Sequence, residues 1–127
     1  MKYFGKYLVQ IKQKRVALPY HMEGKYFQVV CIKTNTKEMY LAVLPSDSGS
    51  LSDLPASYEI LQTDICCIHK SLKLPEVFLD SLDDNKVVVV GVGDHIELFS
   101  EPYFIKLENT PTIMSELSDA LEQIGLS

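Results

Sequence analysis

The sequence predicts a mainly β fold that ends in a C-terminal α-helix. Three features carry this prediction: short segments of alternating apolar and polar residues, a Leu-Pro pair that occurs twice, and turn-forming Gly, Asp and Asn residues between the segments. The chain has 127 residues, of which 46% are hydrophobic, and this is enough to bury a core. We therefore expect one domain, or two very small fused ones.

The two Leu-Pro pairs, Leu18-Pro19 and Leu74-Pro75, align two degenerate copies of one strand–hairpin unit. Upstream of the pairs, the matched residues are Val16 with Leu72, Lys14 with Lys70, Ile11 with Cys67, and Val9 with Ile65. Both segments alternate as half-buried strands do. Each proline should end its strand, because proline cannot donate a hydrogen bond to the ladder.

Each Leu-Pro pair is followed by the pattern of a β-hairpin. The first copy predicts a strand over 28–33, a turn over 34–37 and a return strand over 38–44. The second copy predicts a short helix over 75–82, which proline can begin, and a turn over 83–85. A strand over 87–90, a tight turn over 91–94 and a return strand over 95–99 follow.

The remaining segments set the predicted boundaries. The first copy spans 1–45, a Ser/Asp-rich linker 46–57, the second copy 58–104, and a helical tail 105–127. Within the tail, one helix face over 111–124 collects the apolar residues Ile113, Met114, Leu117, Ala120, Leu121 and Ile124. We expect this helix to pack on the β core, and binding of a protein partner is the alternative.

Charge is divided unevenly along the chain. Residues 1–40 carry eight basic groups and two acids, a net +6, whereas residues 41–127 carry four lysines and fifteen acids, a net −11. Such a division indicates a surface that faces a polyanion, and a solvated strand face is the alternative. The candidate DNA-binding residues are Lys6, Lys12, Lys14 and Arg15, and the last three are expected on a loop between two strands.

The sequence contains no pattern typical of an enzyme, a metal site or a membrane span. Cys66, Cys67 and His69 lie close together but have no second Cys/His pair nearby, so we expect buried, reduced cysteines and no metal. The glycines at 91 and 93 are followed by a strand pattern, which favours a turn over a dinucleotide site, so no cofactor is expected. Without a signal-peptide pattern or a long apolar stretch, we expect a cytoplasmic protein.

Two stretches resemble a known family. The segment 72–75, with Val87-Val88-Val89-Val90-Gly91-Val92-Gly93-Asp94-His95-Ile96-Glu97-Leu98-Phe99-Ser100, is similar to the C-terminal half of the MraZ proteins, members of the AbrB-like swapped-hairpin superfamily. The segments 4–7 and 14–19 resemble the N-terminal half. The resemblance implies two repeats that form a swapped-hairpin β-barrel. It also implies a DNA-binding transcriptional regulator of bacterial type that acts as an oligomer.

In that family, an Asp-x-x-x-Arg motif before each Leu-Pro meets double-stranded DNA. Here Arg15 matches the first arginine, but Ile11 and Cys67 stand at the aspartate positions and Ser71 at the second arginine. Lys14 stands where the family has glycine. We expect DNA binding through the basic first copy. The alternative is a divergent protein-interaction module, antitoxin-like, that no longer binds DNA.

Overall fold

The computed structural model describes residues 3–20, 25–46, 54–68 and 71–109. Within these ranges the chain forms eight strands and two short helices. In chain order they are β1 (Lys6–Gln10), β2 (Arg15–Ala17), β3 (Lys25–Lys33), β4 (Met39–Pro45), β5 (Glu59–Ile68), β6 (Ser71–Lys73), α1 (Glu76–Leu79), β7 (Lys86–Gly91), β8 (Ile96–Ser100) and α2 (Glu101–Asn109). The prediction of a mainly β fold is confirmed.

Six of the strands form one antiparallel sheet in the order β1-β7-β8-β4-β3-β5. The other two, β2 and β6, pair with each other in a separate antiparallel ribbon. The six-stranded sheet is not closed into a barrel, so the predicted barrel is wrong: β1 and β5 stand at opposite edges. Closure is not needed to bury the core, because separate layers cover the two faces of the sheet.

The ribbon and α1 cover one face of the sheet. Their buried residues Val16, Leu72, Leu74 and Phe78 pack on a cluster from the sheet that includes Phe27, Val29, Cys31, Leu41, Val43, Val87, Val89, Ile96 and Leu98. These are the alternate residues of the strands, as the two-residue period of a pleated sheet requires. Phe78, the only fully buried residue of α1, anchors this layer.

Helix α2 covers part of the opposite face. Tyr103 and Phe104 lie within 5.8 Å of the Phe99 ring, which also stacks on Tyr40 at 5.3 Å. The prediction of a helix near the C-terminus is confirmed, but α2 begins before the predicted tail of 105–127, and Pro102 in its first turn, followed by apolar residues at 103, 104 and 107, is a helix pattern that we did not use. The predicted helix over 111–124 lies outside the described residues.

The predicted hairpins are confirmed with small changes of length. The first turn is closed by the Thr34 amide, which donates to the Glu38 carbonyl at 2.8 Å, and by the Lys37 amide, which donates to the Thr34 carbonyl. The predicted helix over 75–82 is shorter, because α1 ends at Leu79 and single turns follow it. The segment 83–85 forms the bend before β7.

The Leu-Pro alignment agrees with the ribbon but not with the edge strands. Val16 faces Leu72 in the ribbon, so residues that the alignment makes equivalent are direct partners. Val9 packs against the core, whereas its predicted equivalent Ile65 is 67% exposed. Cys66 packs against the core as Val9 does, so the ungapped alignment is wrong by one residue there. The second copy has one residue fewer between this strand and its ribbon.

Candidate nucleic-acid interface

The predicted basic loop is a two-residue β-turn between β1 and β2. Lys12 and Arg15 exchange backbone hydrogen bonds of 2.9 and 3.0 Å. The two residues between them, Gln13 and Lys14, have φ of 53° and 66°. Positive φ at both central positions is the requirement of a type I′ turn. The side chains from Lys12 to Arg15 are all exposed, so the turn presents its three positive charges to solvent.

Lys14 occupies a backbone conformation that favours glycine, which is the residue that the family resemblance places there. Its ammonium lies 2.7 Å from Glu76 Oε1 of α1, and both side chains are 61% exposed. The hydrogen bond to Glu76 raises the pKa of Lys14. The Lys14 carbonyl accepts a hydrogen bond from the Leu74 amide at 3.0 Å, so the turn is also joined to the second Leu-Pro segment.

Arg15, the one arginine of the chain, lies across the ribbon. Its Nε donates to Ser71 Oγ at 2.8 Å, and one terminal nitrogen donates to the Ser71 carbonyl at 3.2 Å. These bonds hold the guanidinium against the residue that the alignment makes its equivalent. Arg15 makes no ion pair with any described residue.

The structure does not bring Lys6 together with the other three predicted residues. Lys6 begins β1, and Gln10 at the other end of the strand is about 13 Å away at the usual rise per residue. The Lys6 ammonium pairs with Glu108 of α2 and lies 5.4 Å from the centre of the Phe104 ring. Lys6 therefore belongs to the helix-covered face, whereas the turn adjoins the ribbon.

Two lysines that we did not include lie beside the turn. Lys73 is the direct partner of Arg15 in the ribbon, and Lys86 is the partner of Gln10 in the sheet. The repeat alignment could have indicated Lys73, because it makes the segments before the two Leu-Pro pairs equivalent, and these segments form the two strands of the ribbon. No local pattern indicates the second, since β1 and β7 are far apart in sequence.

Two shallow grooves flank Arg15 and share Ser71 as a wall. One, of about 490 Å³, runs between β5 and the segment from β6 to α1 and includes Asp64, Cys66 and Lys73. The other, of about 440 Å³, lies beside the turn and includes Gln10, Lys12 and Gln13. Arg15 is thus reachable from both sides.

The cysteines show no sign of metal ligation. Within the described ranges, no group of three His, Cys, Asp or Glu residues is placed to hold a metal ion, and His69 lies outside those ranges. None of the three cysteines forms a disulfide. Cys31 is buried as predicted, and burial raises the pKa of its thiol to about 11, whereas Cys66 and Cys67 are partly exposed.

No described helix has the length and the apolar character needed to cross a membrane. In comparisons with known proteins, no family model matches the chain, and no curated protein matches it significantly.

Proposed function

We propose that the two copies are AbrB-like repeats that exchange strands with each other. The pairing supports this: β1 of the first copy pairs with β7 of the second, and β5 of the second pairs with β3 of the first. Two further pairs join the copies, since β4 pairs with β8 and β2 with β6, whereas β3–β4 and β7–β8 are the hairpins within each copy. Each opening strand therefore completes the hairpin of the other copy, which is the arrangement that a swapped hairpin requires.

On this basis we propose that the protein is a DNA-binding transcriptional regulator of bacterial type that works in the cytoplasm as an oligomer. One observation carries the proposal: the type I′ turn presents Lys12, Lys14 and Arg15 together, at the position of the DNA-contacting segment of the family it resembles. Phosphates supply most of the affinity for DNA, and three adjacent cations suit them.

The contacts that these cations already make do not prevent binding. The ion pair of Lys14 with Glu76 is exposed to water, and such pairs contribute little to stability. A phosphate can therefore replace Glu76 at small cost. The bonds of Arg15 to Ser71 leave its second terminal nitrogen available and hold the guanidinium in one orientation. A single arginine gives limited base specificity, so repeated copies of the turn in an oligomer would be needed for tight binding.

The test is the binding of purified protein to random-sequence duplex DNA at rising salt. We expect binding that weakens steeply with salt and is largely lost in the double variant Lys14→Ala, Arg15→Ala. The matched control is Lys6→Ala, Lys106→Ala, which removes two charges that lie against Glu108 and Glu38 on the helix-covered face. Equal losses in the two variants would contradict the proposal, and so would the absence of binding at low salt.

The second candidate is a protein-interaction module of antitoxin-like type. The observation that favours it is that Lys6, Lys14 and Arg15 each already have a partner within the chain. Acidic residues of the second copy, Glu76 and Asp80, also lie beside the turn and raise the pKa of Lys14. A protein that retains no affinity for DNA at low salt, and co-purifies with one defined protein, would support this candidate over the first.

A further inference from the structure

Strand β5 is the longest of the sheet, and no described strand pairs with its outer side. It spans ten residues and, among the described elements, pairs only with β3. An edge strand of this length presents a row of backbone amides and carbonyls that can pair with another chain. Natural edge strands are often protected by charged residues, proline or a bulge. In β5 the irregular pairing with β3 lies between Ile60 and Gln62 and the last charge is Asp64, so residues 65–68 carry none of these features. The opposite edge strand, β1, has half this length and begins with Lys6.

Apolar side chains line the open edge on the face away from the ribbon. Ile65 is 67% exposed and pairs with Gln28, and the neighbouring Tyr26, 62% exposed, pairs with Cys67. Tyr26 and Ile65 are diagonal neighbours on the same face of the sheet. An exposed apolar pair on an open sheet edge is a feature of association surfaces.

We propose that β5 pairs antiparallel with β5 of a second copy of the chain, with Ile65 opposite Ile65. This register joins the two exposed isoleucines across the two-fold axis and places Asp64 of each copy opposite Cys66 of the other. A register centred on Asp64 would place two carboxylates opposite each other, and like charges directly opposite destabilise a sheet. The proposed dimer does not depend on DNA binding.

The charges beside β5 fit a second copy. Asp64, Cys66 and Arg15 line the same groove. Burial raises the pKa of the Cys66 thiol, and the nearby positive charge of Arg15 offsets part of this change. A carboxylate opposite Cys66 would therefore lie beside Arg15, which has no ion pair among the described residues. Because the dimer is two-fold symmetric, the contact between Asp64 of one copy and Arg15 of the other would form twice.

The first test is sedimentation velocity over a range of protein concentrations, with no DNA present. We expect a reversible dimer in the unmodified chain. Ile65→Lys should weaken it at least tenfold, because it places two ammonium groups opposite each other. The matched control is Leu8→Lys, which adds the same charge at a 53% exposed position on β1 and should leave the dimer intact. A monomer at every concentration, or equal weakening by Leu8→Lys, would overturn the proposal.

The second test uses exchange of charges. Asp64→Arg and Arg15→Asp should each weaken the dimer, since each places like charges together, and the double variant should restore it. Circular dichroism would establish that each variant is folded. Failure of the double variant to restore a folded dimer would overturn the proposed register. Since no DNA is present, the result does not depend on whether the turn at 12–15 binds DNA.

Discussion

The two hairpins at the centre of the sheet end in turns that are stabilised in different ways. The turn between β3 and β4 is closed locally, by the backbone bonds within 34–38 and by Thr34 Oγ1, which accepts from the Glu38 amide at 3.2 Å. The turn between β7 and β8 is closed locally by the Val92 amide, which donates to the His95 carbonyl at 3.0 Å, and it is also held by a distant segment. Tyr3 and Gly93 exchange backbone bonds of 3.0 and 3.1 Å, and the Gly91 amide donates to the Gly5 carbonyl at 2.8 Å.

The backbone of the first turn is therefore held by its own residues, whereas the backbone of the second is also held by the N-terminal segment. The backbone hydrogen bonds of the first turn join only residues within five positions of each other, and its contacts with α2 are made by the side chains of Thr34 and Glu38, which meet Tyr103 and Lys106. The second needs the N-terminal segment to lie alongside it, with Tyr3 buried and the Tyr20 hydroxyl donating to the Phe4 carbonyl at 2.8 Å. The second turn should therefore be the more sensitive of the two to substitution, and it should be lost together with the N-terminal segment.

Substitution of Gly91 should give the largest effect. A Cβ atom at this position would lie 2.4 Å from the Phe4 amide nitrogen and 2.5 Å from the Tyr3 carbonyl carbon, so the backbone of residues 3–4 must move. We expect Gly91→Ala to lower the free energy of unfolding by about 1–3 kcal/mol. The measurement is urea denaturation, and the control is Asn35→Ala at an exposed position of the first turn. Equal effects of the two substitutions would show that the turns do not differ.

The features of the fold that depend on local contacts could be predicted from the sequence, and those that depend on distant contacts could not. The turns at 34–37 and 83–85 and the strands beside them follow from residue type and alternation, which are local properties. Beyond the two hairpins, the partner of each strand could not be predicted, because alternation fixes which face a residue occupies but not which strand lies next to it. The open sheet has the same cause, since alternation alone does not show whether β1 meets β5.

The residues of the candidate site were likewise predicted where they are close in sequence and missed where distant strands bring them together. Lys12, Lys14 and Arg15 are adjacent in sequence and were correctly expected on one loop. Lys6 was grouped with them by sequence distance, but its place beside Glu108 depends on the packing of α2 across the sheet. The neighbouring Lys73 and Lys86 come from β6 and β7, so only the pairing of those strands with β2 and β1 brings them to the turn.

The second hairpin should also respond to pH, whereas the first should not. His95 lies between two carboxylates, with Nδ1 2.9 Å from Asp94 and Nε2 3.4 Å from Glu97. Burial lowers the pKa of His95, but the bonds to Glu97 and Asp94 outweigh it, so the pKa is raised above its ordinary value of 6.5. The stabilisation from protonated His95 is therefore fully present below pH 6.5 and is lost as the pH rises through the raised pKa.

The measurement for this prediction is the melting temperature as a function of pH. The unmodified chain should lose stability across the window above pH 6.5, and His95→Asn should remove most of that slope. Thr34→Ala, which alters the first turn, should lower the melting temperature without changing its dependence on pH. An unchanged slope in His95→Asn would assign the pH dependence to other groups.

The smallest expected effect concerns a third turn, the one between β1 and β2. Its backbone is closed locally, as in the turn of the first hairpin, but its two central residues do not favour its conformation. Gln13 and Lys14 both have positive φ, whereas Asn-Gly is the pair that a type I′ turn favours. Replacing them by Asn and Gly should raise the melting temperature by about 5 °C.

The same replacement should also weaken DNA binding, because the charge of Lys14 is lost. Lys14→Ala separates the two effects: it should weaken DNA binding to the same extent without the gain in stability. A loss of DNA binding in the Asn-Gly variant that greatly exceeds the loss in Lys14→Ala would mean that the Gln13 side chain also contributes to DNA binding, because Asn-Gly keeps the type I′ shape of the turn.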